Sequence, residues 1–110
     1  MDITSFVSDW INKGNAYDTE GYLESYWEDA VLDDPSVGRT FKGHVGIREY
    51  FTSYFIGYQT QTRLVKLDIQ DNKAHLEVEF TETFPEGKIG GLFDLTFREG
   101  KIATAKADLL

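Results

Sequence analysis

Two adjacent carboxylates stopped by a proline, Asp33-Asp34-Pro35, are the most chemically suggestive residues in the chain. A carboxylate at the edge of an aromatic, water-poor surface loses hydration, which raises its pKa and strengthens it as a base at neutral pH. Asp34 is therefore the candidate general base, while Asp33, of opposite strand parity, should face solvent. The competing reading is structural: an Asp-Pro pair closes a turn through a side chain to backbone hydrogen bond. Upstream, Tyr26 offers a hydroxyl that could orient a ligand. His44 and His75 stand alone, without a second histidine at a ligand spacing, so no metal site and no other cofactor are expected. Ser36 and Thr40 lack the neighbours that activate a hydroxyl as a nucleophile.

These groups need elements to hold them. Thr4 is a good cap for a first helix to about Lys13, with Phe6, Val7, Trp10 and Ile11 on one face and Gly14 closing it. Asp18 or Thr19 caps a second helix carrying Tyr22, Leu23, Tyr26 and Trp27. A short strand, Ala30 to Asp33, follows and is ended by Pro35. Ser36 to Lys42 reads as an irregular or bulged excursion, and Gly43 precedes a third helix, His44 to Phe55, that stops at Gly57.

From Thr60 the apolar period falls from 3.6 to 2. Val65, Leu67 and Ile69 alternate with charged residues, Asp71-Asn72-Lys73 turns the chain, and Ala74, Leu76, Val78 and Phe80 alternate with polar partners. Pro85-Glu86-Gly87 makes the next turn. Phe93, Leu95 and Phe97 mark another strand, and Glu99-Gly100 leads to a last one, Lys101 to Leu110. Helices followed by an antiparallel meander with one apolar face define an α+β class. The whole chain, 1–110, reads as one domain with a single core.

Trp10, Tyr26, Phe51, Tyr54, Phe55, Leu76, Val78, Phe80, Phe93 and Leu95 should converge on the interior. Most are expected as core, and any volume left among them would be a substrate pocket into which Tyr26 and Tyr54 point their hydroxyls. Eight Phe, six Tyr and two Trp exceed what a small core needs, which points to a pocket or a dimer interface. Glu82 interrupts the apolar alternation beyond Phe80 and is expected at a solvated strand end, with a place at the pocket rim as the alternative.

A net charge of −8, with eleven scattered basic residues, argues against nucleic-acid binding, which needs clustered Lys and Arg. Cysteine is absent, so thiolate chemistry and disulfides do not arise. No apolar run approaches a membrane span, and the N-terminus lacks the plan of a signal peptide, so a cytoplasmic location without membrane contact is the expectation.

The order helix, helix, strand ending in Asp33-Asp34-Pro35, then Lys42-Gly43-His44-Val45-Gly46-Ile47-Arg48-Glu49-Tyr50-Phe51, and a meander with Glu99-Gly100-Lys101-Ile102, resembles the SnoaL-like branch of the nuclear-transport-factor-2-like superfamily. The stretch Tyr26 to Phe51 is similar, without a gap, to ketosteroid isomerase. The resemblance implies a cystatin-like cone: three N-terminal helices packed in a curved mixed or antiparallel sheet enclosing an apolar cavity. It also implies a homodimer through the outer face of the sheet, where Glu77, Glu79, Thr96, Arg98, Thr104 and Lys106 fall. Asp34 matches the isomerase's general base and Tyr26 a pocket tyrosine. Val7 and Phe93, however, occupy the places of that enzyme's two oxyanion donors, each typically worth ~3–4 kcal/mol. Steroid isomerisation is therefore not expected. Two functions remain: a domain that binds an apolar small molecule, with isomerase, cyclase or hydrolase-type chemistry through Asp34, or a non-catalytic dimeric module whose cavity is closed by its own side chains.

Overall fold

The computed structural model describes residues 1–82 and 87–110. Helix α1 (Ile3–Asn15) is capped by Asp2, whose carboxylate accepts from the Ser5 amide at 3.1 Å. The cap thus falls two residues before Thr4, which lies within the first turn. The expected apolar face is the buried one, with Val7, Trp10, Ile11 and Gly14 turned inward. Asp18 caps α2 (Thr19–Glu24) by accepting from the Gly21 amide.

Tyr26 and Trp27 do not continue α2, as their spacing predicted. They open strand β1 (Tyr26–Asp34). This strand pairs antiparallel with β2 (Arg39–Lys42) on one side and parallel with β6 (Lys101–Leu109) on the other. Ladder bonds on both edges satisfy the backbone of a central strand, which overrides a local helical period. The region after Pro35 is accordingly a turn followed by β2, rather than an irregular excursion.

Helix α3 (Gly43–Phe51) ends in a wide, π-helical turn, Thr52–Ile56. His44 fastens the start of α3 to the sheet, its Nε2 donating to the Tyr26 carbonyl at 2.8 Å. Strands β3 (Gln61–Gln70), β4 (Lys73–Glu82) and β5 (Gly87–Arg98) complete a six-stranded mixed sheet ordered β2-β1-β6-β5-β4-β3. The loop Glu99-Gly100 has φ of 46° and 85°, the left-handed pair of a tight hairpin. The expected turn at Pro85-Glu86 lies outside the described residues. In β3 the register slips between Leu64 and Lys66, so the expected alternation through Val65 breaks at this bulge and Val65 stays exposed.

The helices lie against one face of the curved sheet, and aromatic rings fill the space between. Trp10 stands edge-on to Phe93 at 4.9 Å and stacks on Tyr22 at 5.9 Å. Tyr22 stacks on Phe51 at 4.2 Å, and Phe51 on Phe55 at 5.2 Å. On the opposite face, polar side chains pair across strands, Arg63 with Glu79 and His75 with Asp94.

Phe93 is fully buried beneath Trp10 and is central to this packing. Phe93→Ala is expected to destabilise the fold by ~3–5 kcal/mol, seen as a lower urea midpoint with an unchanged slope.

Candidate functional site

Between the end of β1, the wide turn after α3 and the ends of the central strands, the structure holds a partly open recess of about 260 Å³. Asp34, Ser36 and Val37 form one wall. Tyr50, Tyr54, Phe55, Tyr58 and Thr60 form the second, and Phe80, Glu82, Ile89 and Leu109 close it from β4, β5 and β6.

Four of the residues read from the sequence meet here: Asp34, Tyr54, Phe55 and Phe80. The other seven expected around a pocket do not. Tyr26, Phe51, Leu76, Val78, Phe93 and Leu95 are at most 1 % exposed and, with Trp10, make up the solid interior. Trp10 and Phe93 border a gap of about 10 Å³ near Thr62, roughly the smallest space that admits one water, which Phe55 separates from the recess. Inward strand parity marks a residue as buried, but it does not tell core from cavity wall. Ring packing makes the difference, because Phe51 against Tyr22 and Phe93 against Trp10 fill the space between helices and sheet.

Tyr26 is a clear correction. Its hydroxyl accepts from Trp10 Nε1 at 3.2 Å and donates to the Tyr22 hydroxyl at 2.9 Å, so it serves the core rather than a ligand. Tyr50 takes the place Tyr26 was given. It reaches the recess from α3, is 3 % exposed, and its hydroxyl forms no hydrogen bond among the described residues. The spacing of Tyr50, Tyr54 and Tyr58, four residues apart on one helical face, was the available signal. Those rings follow one another at 5.7 and 6.4 Å. The wide turn is built by the Gly57 amide bonding to the Thr52 carbonyl at 2.9 Å. Such π-turns recur at functional sites because they displace side chains from the regular helical path.

Asp34 combines both readings of its sequence. Parity along β1 turns it to the same side as Ala30 and Leu32, and it is only 6 % exposed. Oδ1 accepts from the Ser36 amide at 3.0 Å and from the Ser36 hydroxyl, closing the turn. Oδ2 has no hydrogen-bond partner and Asp34 no ion pair among the described residues. Asp33, on the other face, accepts from Thr40 Oγ1 at 3.0 Å.

Glu82 sits at the recess instead of at a solvated strand end. The Thr60 hydroxyl lies 2.8 Å from the Tyr54 carbonyl and 3.1 Å from Glu82 Oε2. With one proton it donates to one of the two at a time. Among the described residues the lining contains two carboxylates and no Lys, Arg or His, and no cluster of potential metal ligands occurs. Two residues before Glu82 on β4, Phe80 lies across β5 because Gly91 has no side chain. A Cβ there would come within 2.2 Å of the Phe80 ring. Glycine inside a strand commonly marks such a close approach.

Helices packed against a curved six-stranded mixed sheet are the α+β scaffold of the nuclear-transport-factor-2-like proteins. The chain belongs to the SnoaL-like domain family, whose family model matches residues 7–105. Solved structures with the same fold include a Sinorhizobium meliloti protein provisionally described as a polyketide cyclase, at 19% identity and a TM-score of 0.85 over 94% of this chain and 93% of that one. A Catenulispora acidiphila protein with a ketosteroid isomerase-like fold, in complex with trimethylamine, shares 13% identity with a TM-score of 0.81 over 93% and 82% of the two chains. TerC, co-crystallised with polyporic acid, shares 15% identity with a TM-score of 0.85 over 97% and 90%. Likeness at these identities shows the fold alone. Among curated proteins no match was found. No helix of the described residues is long and apolar enough to cross a membrane.

Burial raises the pKa of Tyr22 and of Tyr26 well above 10.0; burial and then the nearby charge of Asp34 do the same for Tyr50. Below pH 10 these phenols are neutral whether the chain is folded or not. Above it the unfolded chain releases protons that the folded chain retains, so stability falls as pH rises. Urea midpoints measured from pH 8 to pH 11 should be level up to about pH 10 and decline beyond it.

Proposed function

We propose that the chain binds a small, largely apolar molecule in the recess and that Asp34 acts on it as a general base, in proton transfer of the isomerase or cyclase type. The single observation behind this is the state of Asp34: a nearly buried carboxylate with one oxygen tied to Ser36 and the other unpartnered at the recess wall. Fixing one oxygen orients the group, and leaving the other free provides a site for a substrate proton. Tyr50 complements it. A phenol held neutral by burial, with an unused hydroxyl, can donate a hydrogen bond to an oxygen that gains negative charge as the proton leaves carbon. That role replaces the donor places lost at Val7 and Phe93, which lie in the core. Other chains of this fold hold small molecules, trimethylamine in one and polyporic acid in another, which supports a ligand-binding use of the scaffold.

Screening carbonyl compounds small enough for the recess identifies a substrate by proton exchange at carbon, followed by NMR in deuterated water. With that substrate, Asp34→Asn should lower the exchange rate by ~100-fold or more, with the urea midpoint nearly unchanged because the asparagine carbonyl can still accept from Ser36. Tyr50→Phe should cost about 100-fold in kcat and at most ~1 kcal/mol in stability, since its hydroxyl has no partner to lose. Unchanged exchange in Asp34→Asn would remove the base role.

A second proposal concerns assembly. The sheet face opposite the helices has no covering element among the described residues, and Thr104 and Lys106 lie exposed near its centre. We propose that two copies pair through this face. Sedimentation equilibrium should give twice the chain mass, and Thr104→Arg should shift it to the monomer; a monomer at high micromolar concentration would end this proposal.

A further inference from the structure

We propose that the ligand of the recess is an organic cation, a small alkylammonium with apolar substituents; this rests on the recess being a ligand site, and does not depend on whether Asp34 also moves a proton. Two independent features point to positive charge. The first is an electrostatic imbalance. Asp34 approaches from β1 and Glu82 from β4, with β6 and β5 between them in the sheet, and no basic side chain lines the recess among the described residues. Three strand spacings amount to roughly 14 Å along a flat sheet, so the two carboxylates flank the space rather than gather round one point, as metal ligands would. Asp34 is nearly buried and lacks a cation. A carboxylate withdrawn from water without a counter-charge is costly, and a cationic ligand supplies the missing partner.

The second feature is the wall. Tyr50, Tyr54, Phe55 and Phe80 present rings at the recess, with Tyr50 5.7 Å from Tyr54 and 5.8 Å from Phe55, and Phe55 6.3 Å from Phe80. Aromatic faces carry partial negative charge, and several of them around one space hold an ammonium whose methyl or ethyl groups also pack against the rings. A metal ion or a hydrated ammonium gains little from such a wall. A neutral hydrocarbon gains from the rings but leaves Asp34 unpaired. A substituted ammonium satisfies both, and the volume of about 260 Å³ limits it to a small molecule.

Choline and its uncharged isostere 3,3-dimethyl-1-butanol, which differ by one nitrogen in place of carbon, separate charge from shape. In calorimetric titrations of the full chain, with NMR shifts of the aromatic protons to locate the site, choline should bind at least about tenfold more tightly than the alcohol. Asp34→Asn and, separately, Glu82→Gln should each weaken choline and leave the alcohol unaffected. Equal binding of the two probes at the recess would overturn the cationic ligand while keeping the recess as a ligand site. Choline affinity unchanged in both variants would also overturn it. If neither probe, nor any compound of the carbonyl screen, moves the resonances of Tyr50, Tyr54 or Phe80, both the cationic ligand and the ligand site fall.

Discussion

The fold depends on a continuous stack of aromatic rings between helices and sheet. Tyr22 lies at its centre, packed against Trp10, Tyr26, Phe51 and Phe55. Each ring brings a large apolar area out of water, and offset or edge-on contacts add ~0.5–1.5 kcal/mol per pair. Buried phenols and an indole carry polar atoms that must be satisfied. The sequence Trp10 to Tyr26 to Tyr22 does this within the stack, each donor finding the next oxygen. The same bonds join α1, α2 and β1, so the register of helices on sheet is specified as well as stabilised. With the interior filled in this way, the recess opens where the stack ends, at Phe55.

Phe55 belongs to both regions, packing on Phe51 within the core and facing the recess on its other side. The wide turn that contains it also carries Tyr54, and the Thr60 amide bonds back to the Phe55 carbonyl at 2.8 Å. The recess wall is therefore built from helix, turn and strand ends that are each held by backbone bonds, which suits a site whose geometry is set before a ligand arrives. Gly91 contributes by its absence of side chain: without it Phe80 could not lie across β5 to complete the opposite wall.

Much of this was legible in the residues. The α+β class and the order of elements follow from the change of apolar period after Thr60, and the apolar faces of α1, β4 and β5 are the buried ones. Boundaries failed where long-range pairing decides them. Nothing local indicates that Tyr26 and Trp27 lie on a strand, because at this end β1 pairs with β6, Tyr26 standing beside Ile102, more than seventy residues away. The slip at Val65 is of the same kind, set by the partner strand β4. Tyr54 could be placed near an apolar space from helical spacing and Asp34 from the family resemblance, since spacing alone reads Asp34 equally as a turn cap, whereas telling Tyr50 from Tyr26 required knowing which phenol finds a partner. Glu82 was misplaced because strand alternation describes the sheet's faces and is silent on what gathers at its end.

The electrostatic character of the recess follows from the same division. Trp10 and Tyr26 spend their donors within the core, and among the described residues the hydrogen bonds to the Asp34 carboxylate come from Ser36 in the adjoining turn. One hydroxyl and one amide on a single oxygen orient a carboxylate but do not neutralise it. The remaining negative charge, together with that of Glu82, faces rings whose own partial charges have the same sign. Such an arrangement opposes folding slightly, and a chain selected for stability alone would place a lysine or an apolar side chain there instead. The recess is thus where the described residues depart from the arrangement that would stabilise the fold most, and departures of this kind mark a candidate site rather than a core.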